Sequence, residues 1–347
     1  MCAGFCTSGW GTVFRVLLNQ QCSGPIDATS VPDSQHMHGR TVTLVPVTLS
    51  PLSAICFTQW ESGPIKAAAS MTYEETTMIP YHAPVADMSH VLKDIIGLER
   101  LSSIPGFDMV DEDLVDAVLD QADKLASDVL APLNTVGDAK GCTLENGVVR
   151  TPEGFKAAYD HYVEGGWNSL PFTPDYGGQG MPWALAFAVQ EMWQSANMAF
   201  GLCPLLNQGA VDLLTEHGSK EQKDIYLEKM ISGEWTGSMN LTEPQAGSDV
   251  GAVRTKAEPN GDHYLIKGNK IWITYGEHDW TDNIIHMVLA RLPDAPEGSR
   301  GISLFIVPKF LVNEDGSLGQ RNDLRCTGLE HKLGIHASPT CYMSFGD

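Results

Sequence analysis

Three regimes of hydrophobic patterning follow one another along the chain. Residues 1–70 show no sustained period of 3.6 or 2, and mix Ser, Thr, Pro, Gly and Cys with single aromatics. From Val85 to about Gln222 the apolar positions recur at helical spacing. Within residues 111–133, Leu114, Val118, Ala122, Leu125 and Val129 form a stripe that predicts the buried face of an acidic helix. Thr151-Pro152 reads as an N-cap with proline at the first helical position, launching a helix through Ala157, Ala158 and Tyr162. Pro182 opens a segment to Asn197 that is apolar nearly all round and therefore predicted buried. Residues 202–217 form a further helix, with Gly218 at the C′ position. Ser219 and Gln222 have capping-box spacing ahead of Ile225, Tyr226 and Met230.

Past Gly233 the period becomes strand-like. Val253–Glu258 and His263–Lys267 flank Asn260-Gly261, a strong hairpin signal. Lys270–Thr274, Asn283–Arg291, Gly301–Val307 and Cys341–Phe345 are further strand candidates, separated by Gly, Pro and Asn/Asp clusters at 293–298 and 313–319. Short strands at roughly ten-residue spacing predict a small antiparallel barrel or sandwich. The class is therefore α+β, with an all-α region followed by a small β region.

Charge adds an exclusion. With 22 Lys+Arg against 43 Asp+Glu the formal net charge is −21, which disfavours nucleic acid or an anionic membrane surface as the main partner. No run approaches the ~18 uninterrupted apolar residues of a spanning helix. The whole acidic excess lies beyond residue 70, because the first 70 residues hold only Arg15, Arg40 and Lys66 against Asp27, Asp33 and Glu61. Residues 1–79 are accordingly set aside as a leader of doubtful status, expected to be disordered. Met71 is the expected start if the preceding stretch is upstream translation, and a natural tail is the alternative. Cys142, Cys203, Cys326 and Cys341 lie far apart without C-x-x-C spacing, so they read as scattered thiols of a reducing, cytoplasmic compartment. His36 and His38 lack further ligands at metal spacing, and no metal site is expected.

The densest run of unusual residue choices is Leu241-Thr242-Glu243-Pro244-Gln245-Ala246-Gly247-Ser248-Asp249. A strand is expected to deliver Leu241 and Thr242, Pro244 ends the ladder, and Gly247 permits a tight turn with outward N–H groups. Thr242 and Ser248 add uncharged hydroxyls. Such a loop suits a polar, multi-ring cofactor carrying phosphates, while an ordinary strand-exit turn capped by Asp249 stays open on spacing alone. Glu243 is expected to hold the loop rather than act as a base, and His278 to be a satisfied loop histidine. The glycines at 177, 178 and 180 lack the G-x-G-x-x-G order and a preceding strand, so an interhelical turn is expected there, not a nicotinamide fold.

This loop resembles the flavin-binding signature of the acyl-CoA dehydrogenase family. Glu221-Gln222-Lys223, Gly233-Glu234, Gly268-Asn269-Lys270-Ile271-Trp272-Ile273-Thr274, Tyr176-Gly177-Gly178-Gln179-Gly180 and Lys332-Leu333-Gly334-Ile335-His336-Ala337-Ser338-Pro339-Thr340 are similar to family landmarks in consistent order. Asn240 departs from the small residue usual before Leu-Thr-Glu. Tyr275-Gly276-Glu277-His278-Asp279 and the insertion at 313–323 resemble the longer-subunit branch, which includes 3-methylmercaptopropionyl-CoA dehydrogenases.

The resemblance implies an N-terminal helical domain at 80–232, a flavin-binding middle β domain at 233–347 truncated at its C-terminal end, and a C-terminal helical domain absent from this chain. It implies FAD as cofactor, with Met239, Leu241, Thr242, Gly247, Ser248, Trp272, Ile273 and Thr274 as cofactor-binding residues and Ser248 also near the thioester. The reaction implied is α,β-dehydrogenation of an acyl-CoA with hydride transfer to flavin N5, followed by electron transfer to an electron-transfer flavoprotein. No catalytic residue is assigned, since the base is expected in the absent domain. A homo-oligomer is implied for the full-length form. An acyl-CoA oxidase on the same scaffold, or an inactive fragment, are the alternatives.

Overall fold

The structure is a computed structural model that describes residues 80–346. The expectations for the leader, for Met71 and for His36 and His38 lie outside the described residues.

The helical part begins with α1 (Val85–His90), a π-helical segment (Val91–Gly97) and α2 (Leu98–Ser102), the last entered through Gly97 at φ 87°. One long arm follows, from α3 (Glu112–Lys124) through a π-helical stretch (Leu125–Leu130) into α4 (Ala131–Lys140). The Asp111 carboxylate accepts from Leu114 N at 2.8 Å and starts the arm. Its buried line is Val115, Leu119, Ala122, Ala126 and Leu130. The predicted stripe shares only Ala122; Leu114, Val118, Leu125 and Val129 sit half-buried beside that line. Several registers were compatible with an apolar band this wide, and packing chose among them.

Further expectations are corrected in this part. It is not all-α: β1 (Thr143–Glu145) and β2 (Val148–Arg150) pair as a hairpin, closed by Asn146 (φ 53°) and Gly147 (φ 78°), the dihedral signs of a type I′ turn. Thr151 is not a helix cap either, because the next helix, α5 (Phe155–Glu164), starts after Gly154. The Thr151 hydroxyl instead donates to Asp279 Oδ1 at 2.8 Å and accepts from Trp280 Nε1 at 2.9 Å. The segments predicted at 182–197 and 202–217 join as α6 (Trp183–His217), kinked at Asn197, whose side chain accepts from Phe200 N and restarts the helix. Gly218 ends α6 with φ −68° and ψ 147°, an extended rather than left-handed exit. The capping box of α7 (Lys220–Ser232) is present as expected, with Gly233 at φ 89° closing it.

The β part comprises β3 (Trp235–Asn240), β4 (Lys256–Asn260), β5 (His263–Thr274), β6 (Asn283–Arg291), β7 (Ile302–Pro308), β10 (Leu324–Leu329) and β11 (Thr340–Phe345), with β8 (Phe310–Val312) and β9 (Leu318–Arg321) as a side hairpin. The strands predicted at 263–267 and 270–274 are one strand running through Gly268. The order is β10-β11-β5-β4-β6-β3, with β7 also on β6. The antiparallel expectation is corrected, because β3 runs parallel to β6, Trp235 opposite Asn283 through Asn240 opposite Val288. Between them the chain makes the β4–β5 hairpin and returns past the helices, where Tyr275 and Trp280 enter the helical core. It therefore starts β6 at the same end as β3, which a parallel pair requires.

The curled sheet has two apolar faces. Ile285 and Met287 of β6 meet Ala210, Val211, Leu214, Leu227 and Met230 of α6 and α7. Val288 points the other way, into an inner cluster with Ile273, Leu324, Cys341, Met343 and Phe345, joined by Val149 of the hairpin. Gly237 lets β3 approach α6, since a Cβ there would stand 2.4 Å from Ala210 Cβ. These contacts fix the end of β3, from which the 241–249 loop departs.

Candidate functional site

The 241–249 loop is organised from within. β3 ends at Asn240, so Leu241 and Thr242 follow the strand rather than extend it. Glu243 turns its carboxylate inward, where it accepts from Thr255 N (3.0 Å), Thr255 Oγ1 (2.6 Å), Arg254 N (2.7 Å), Gln245 Nε2 (2.6 Å) and Lys270 Nζ (2.8 Å). Burial alone would raise its pKa; the bonds from Lys270, Thr255 and the Arg254 amide outweigh that and hold it at about 2. A carboxylate so saturated is a brace for the loop, as its position in the turn suggested, and a poor proton acceptor. Lys270 also donates to Leu241 O at 3.0 Å, and Ile271 N donates to Thr242 O at 2.9 Å. The loop and the Trp272 strand are thereby laced side by side.

Trp272 sits at a bulge where the β5–β11 register shifts between Cys341 and Met343. Its φ is 58°, a genuine outlier for a bulky residue, and its side chain stays 54% exposed. The indole Nε1 donates to Glu330 Oε2 at 2.6 Å, and the Tyr342 hydroxyl donates to the same oxygen. Those two bonds lower the Glu330 pKa, the reverse of what a proton-abstracting base needs. Trp272 borders a cleft of about 540 Å³ with Glu330, Lys332, Leu333 and Ile335. A second hollow of about 380 Å³ adjoins it, between the end of α4 and residues 330–338.

The expected cofactor residues fall into two groups. Leu241, Thr242 and Thr274 are half-buried, and Gly247, Ser248 and Trp272 are exposed, so all six present atoms at the surface. Ile273 is buried in the inner cluster, and Met239 packs into the helix–sheet layer, so Ile273 has only its backbone to offer and Met239 only its backbone and the uncovered part of its side chain. Neither cleft is bordered by the 241–249 loop; what brings the loop to Trp272 is the bonding through Lys270 and Ile271. Asn240, the departure noted in sequence, is buried with its Nδ2 donating to His286 Nδ1 at 3.0 Å. His278 is satisfied: it accepts from Trp280 N on Nδ1 and donates from Nε2 to Thr236 Oγ1 at 2.8 Å. Burial and the charge of Lys309 hold it neutral, with a pKa of about 3. Glu277 is buried against Lys309 at 2.5 Å.

Sequence reasoning missed Glu330 and gave Lys270 no role. Only Lys270 left a signal, being a charged residue inside an apolar strand run, which calls for a buried partner.

The acyl-CoA dehydrogenase N-terminal domain matches residues 115–234, and the acyl-CoA dehydrogenase middle domain matches residues 238–347. The chain belongs to the acyl-CoA dehydrogenase family. Among relatives in the family, the 3-methylmercaptopropionyl-CoA dehydrogenase of Ruegeria pomeroyi is 49% identical over 266 residues, covering 76% of this chain and 45% of that protein. A butyryl-CoA dehydrogenase of Syntrophomonas wolfei is 43% identical over 274 residues, covering 77% and 45%. The chain thus spans about half the length of these relatives. The solved butyryl-CoA dehydrogenase of Megasphaera elsdenii superposes with a TM-score of 0.54 at 26% identity, covering 68% of this chain and 54% of that one. Its fold is the acyl-CoA dehydrogenase fold, a helical N-terminal region with a curled sheet. Among the described residues no helix is long and apolar enough to cross a membrane.

Proposed function

We propose that residues 80–232 and 233–347 are the N-terminal helical and middle domains of an FAD-dependent acyl-CoA dehydrogenase, and that the 241–249 loop and Trp272 form its flavin-binding face. The observation that carries this reading is Trp272. A large indole, held at positive φ by a sheet bulge and left half-exposed, is costly in a face with no ligand. Beside it the donor set fits a ring system with a heteroatom edge and a pyrophosphate. The Thr242 N–H and the hydroxyls of Thr242, Ser248 and Thr274 meet no acceptor among the described residues. Gly247 has neither a positive φ nor an atom within 4 Å of where a Cβ would stand. Nothing among the described residues asks for glycine there, whereas a closely approaching ligand does.

In this assignment Trp272 stacks on the ring system, Leu241 and Thr242 bind its pyrimidine edge, and Thr274 stands near N5. Gly247 and Ser248 lie by the pyrophosphate, Ser248 also by the thioester, and Met239 and Ile273 contribute backbone. FAD supplies the hydride acceptor when bound. The chain's residues orient it and, through uncharged hydroxyls, leave its electronics free of added charge. The substrate proposed is an acyl-CoA thioester, either 3-methylthiopropanoyl-CoA or a fatty acyl-CoA, and the electron acceptor an electron-transfer flavoprotein. Glu243 and Glu330, the carboxylates bonded to Lys270 and Trp272 of this face, both have lowered pKa values, so neither is the base. Cys142, Cys203, Cys326 and Cys341 are free thiols, which fits the cytoplasmic location proposed, and a homo-oligomer is proposed for the assembly.

Titration of the 347-residue chain with FAD, followed by flavin fluorescence quenching with FMN for comparison, tests the assignment. Saturable binding that weakens about tenfold in Thr242→Val, and similarly in Trp272→Ala, is expected for loss of one hydrogen bond or one stack. No saturable binding, or binding indifferent to both changes, overturns it.

A further inference from the structure

Lys270 is the one charged side chain of the candidate face that is fully buried, at 0% exposure. Its ammonium has two acceptors, Glu243 Oε1 at 2.8 Å and Leu241 O at 3.0 Å. The first looks like plain charge compensation. The second is not needed for that, since Glu243 could neutralise Lys270 alone. Glu243 in turn spreads its charge over four further donors, the Thr255 N–H and hydroxyl, the Arg254 N–H and the Gln245 amide. The ammonium is therefore shared between a carboxylate already saturated by neutral donors and one backbone carbonyl.

That carbonyl belongs to the peptide whose other end is the Thr242 N–H. No described peptide bond is cis, so the N–H points away from the carbonyl across a planar unit. The carbonyl faces the buried ammonium and the N–H faces outward. The next carbonyl, Thr242 O, is tied to Ile271 N at 2.9 Å, which fixes the adjoining Thr242–Glu243 peptide and so limits how the first can turn. The Thr242 N–H has no acceptor among the described residues. A cation on a peptide oxygen draws electron density from the nitrogen and makes the N–H a stronger donor, and hydrogen bonds in such chains reinforce one another by roughly 10–30%.

We propose that Lys270 is a positioning residue that acts through the Leu241–Thr242 peptide, fixing its plane and polarising it so that the Thr242 N–H is presented as a strengthened donor to the heteroatom edge of the flavin. This rests on the flavin-binding reading above and adds to it the group that tunes the contact. Lys270 touches neither cofactor nor substrate. Glu243 serves to keep the ammonium charged and in place.

The test separates this role from a merely structural one. Removing Lys270 alone would strand the buried Glu243 charge, so the informative variant is Lys270→Met with Glu243→Gln, which removes both charges together. Thr255→Val is the control: it loosens the Glu243 brace and lowers the melting temperature without touching Leu241 O. Two readouts are compared in the 347-residue chain, the Thr242 amide resonance without ligand and the FAD dissociation constant. In the double variant the Thr242 proton is expected to move upfield and FAD to bind about threefold more weakly, a polarised N–H donor having become an ordinary one. In Thr255→Val both are expected to stay at wild-type values. If the double variant loses melting temperature but keeps its Thr242 shift and FAD affinity, Lys270 is only a structural counter-ion and the proposal is overturned. A wild-type chain that takes up no FAD defeats the flavin reading instead, and the Thr242 resonance alone then decides whether Lys270 polarises the peptide. Should the double variant not fold, the wild-type spectrum decides. The Leu241 carbonyl carbon and the Thr242 amide proton are both expected downfield of their residue averages, and average values overturn the proposal.

Discussion

At the scale of single residues, the buried titratable groups set how the protein meets acid. His278 and His286 are both kept neutral, with pKa values of about 3, by burial first and by the nearby Lys309 charge second. An unfolded imidazole protonates near 6.5, so the stability they contribute is complete above that pH and is lost as pH falls from 6.5 toward 3. Glu243 works in the same sense over a lower window, from the ordinary carboxylate value of 4.5 down to about 2. Chemical denaturation at pH 7, 5 and 4 is expected to show stability falling by roughly 1.4 kcal/mol per pH unit for each excluded proton. The slope between pH 6 and 4 is expected to flatten in His278→Gln/His286→Gln. An unchanged slope in that variant places the acid sensitivity elsewhere.

At the scale of elements, the joints are more sensitive than the middles. Gly237 occupies the point where β3 crosses α6, and a methyl group there would press on Ala210 and on Met230 Cε, 2.9 Å away. Gly237→Ala is expected to cost about 1–3 kcal/mol by overpacking, seen as a lower denaturation midpoint with an unchanged m-value. Ser219 and Gln222 close a reciprocal capping box at the start of α7. Ser219→Ala is expected to cost about 1 kcal/mol, and Ser219→Asp to restore most of it. Both elements carry β3, so Gly237→Ala is also expected to loosen the 241–249 loop, measurable as faster amide exchange at 241–243 than at the distant β1–β2 hairpin.

At the scale of the whole molecule, one histidine joins the helical arm to the segment lining the cleft. The two ring nitrogens of His336 face carbonyl oxygens, Nδ1 toward Asp138 O at 2.7 Å and Nε2 toward Lys332 O at 2.8 Å. Only the imidazolium donates to both at once, and these backbone bonds raise its pKa above the usual 6.5. A raised value places the contribution at low pH: it is complete below 6.5 and lost as pH rises through the folded-state value. The melting temperature of the wild type is expected to fall between pH 6 and 9 more than that of His336→Gln, and parallel curves would remove this tie from the account.

Much of the fold was legible because it is written locally. The period changed near Gly233, the α7 capping box needed only four residues, and the β6 limits Asn283–Arg291 came from one apolar run. The loop at 241–249 stood out by its residue choices, with an ordinary strand-exit turn still open on spacing alone, and Trp272 was singled out only by the family resemblance. The β1–β2 hairpin was equally legible in Asn146-Gly147 but lay inside a stretch dominated by helical period.

What the sequence determined by itself was the order of the elements and the identity of the unusual residues, because periodicity, capping and turn chemistry act over a few neighbouring positions. Tertiary structure alone decided the parallel pairing of β3 with β6, the left-handed backbone at Trp272 and the second bond of Lys270 to Leu241 O. Strand direction, bulge position and the sharing of one buried charge depend on segments distant in sequence meeting in space, and no local pattern encodes that meeting.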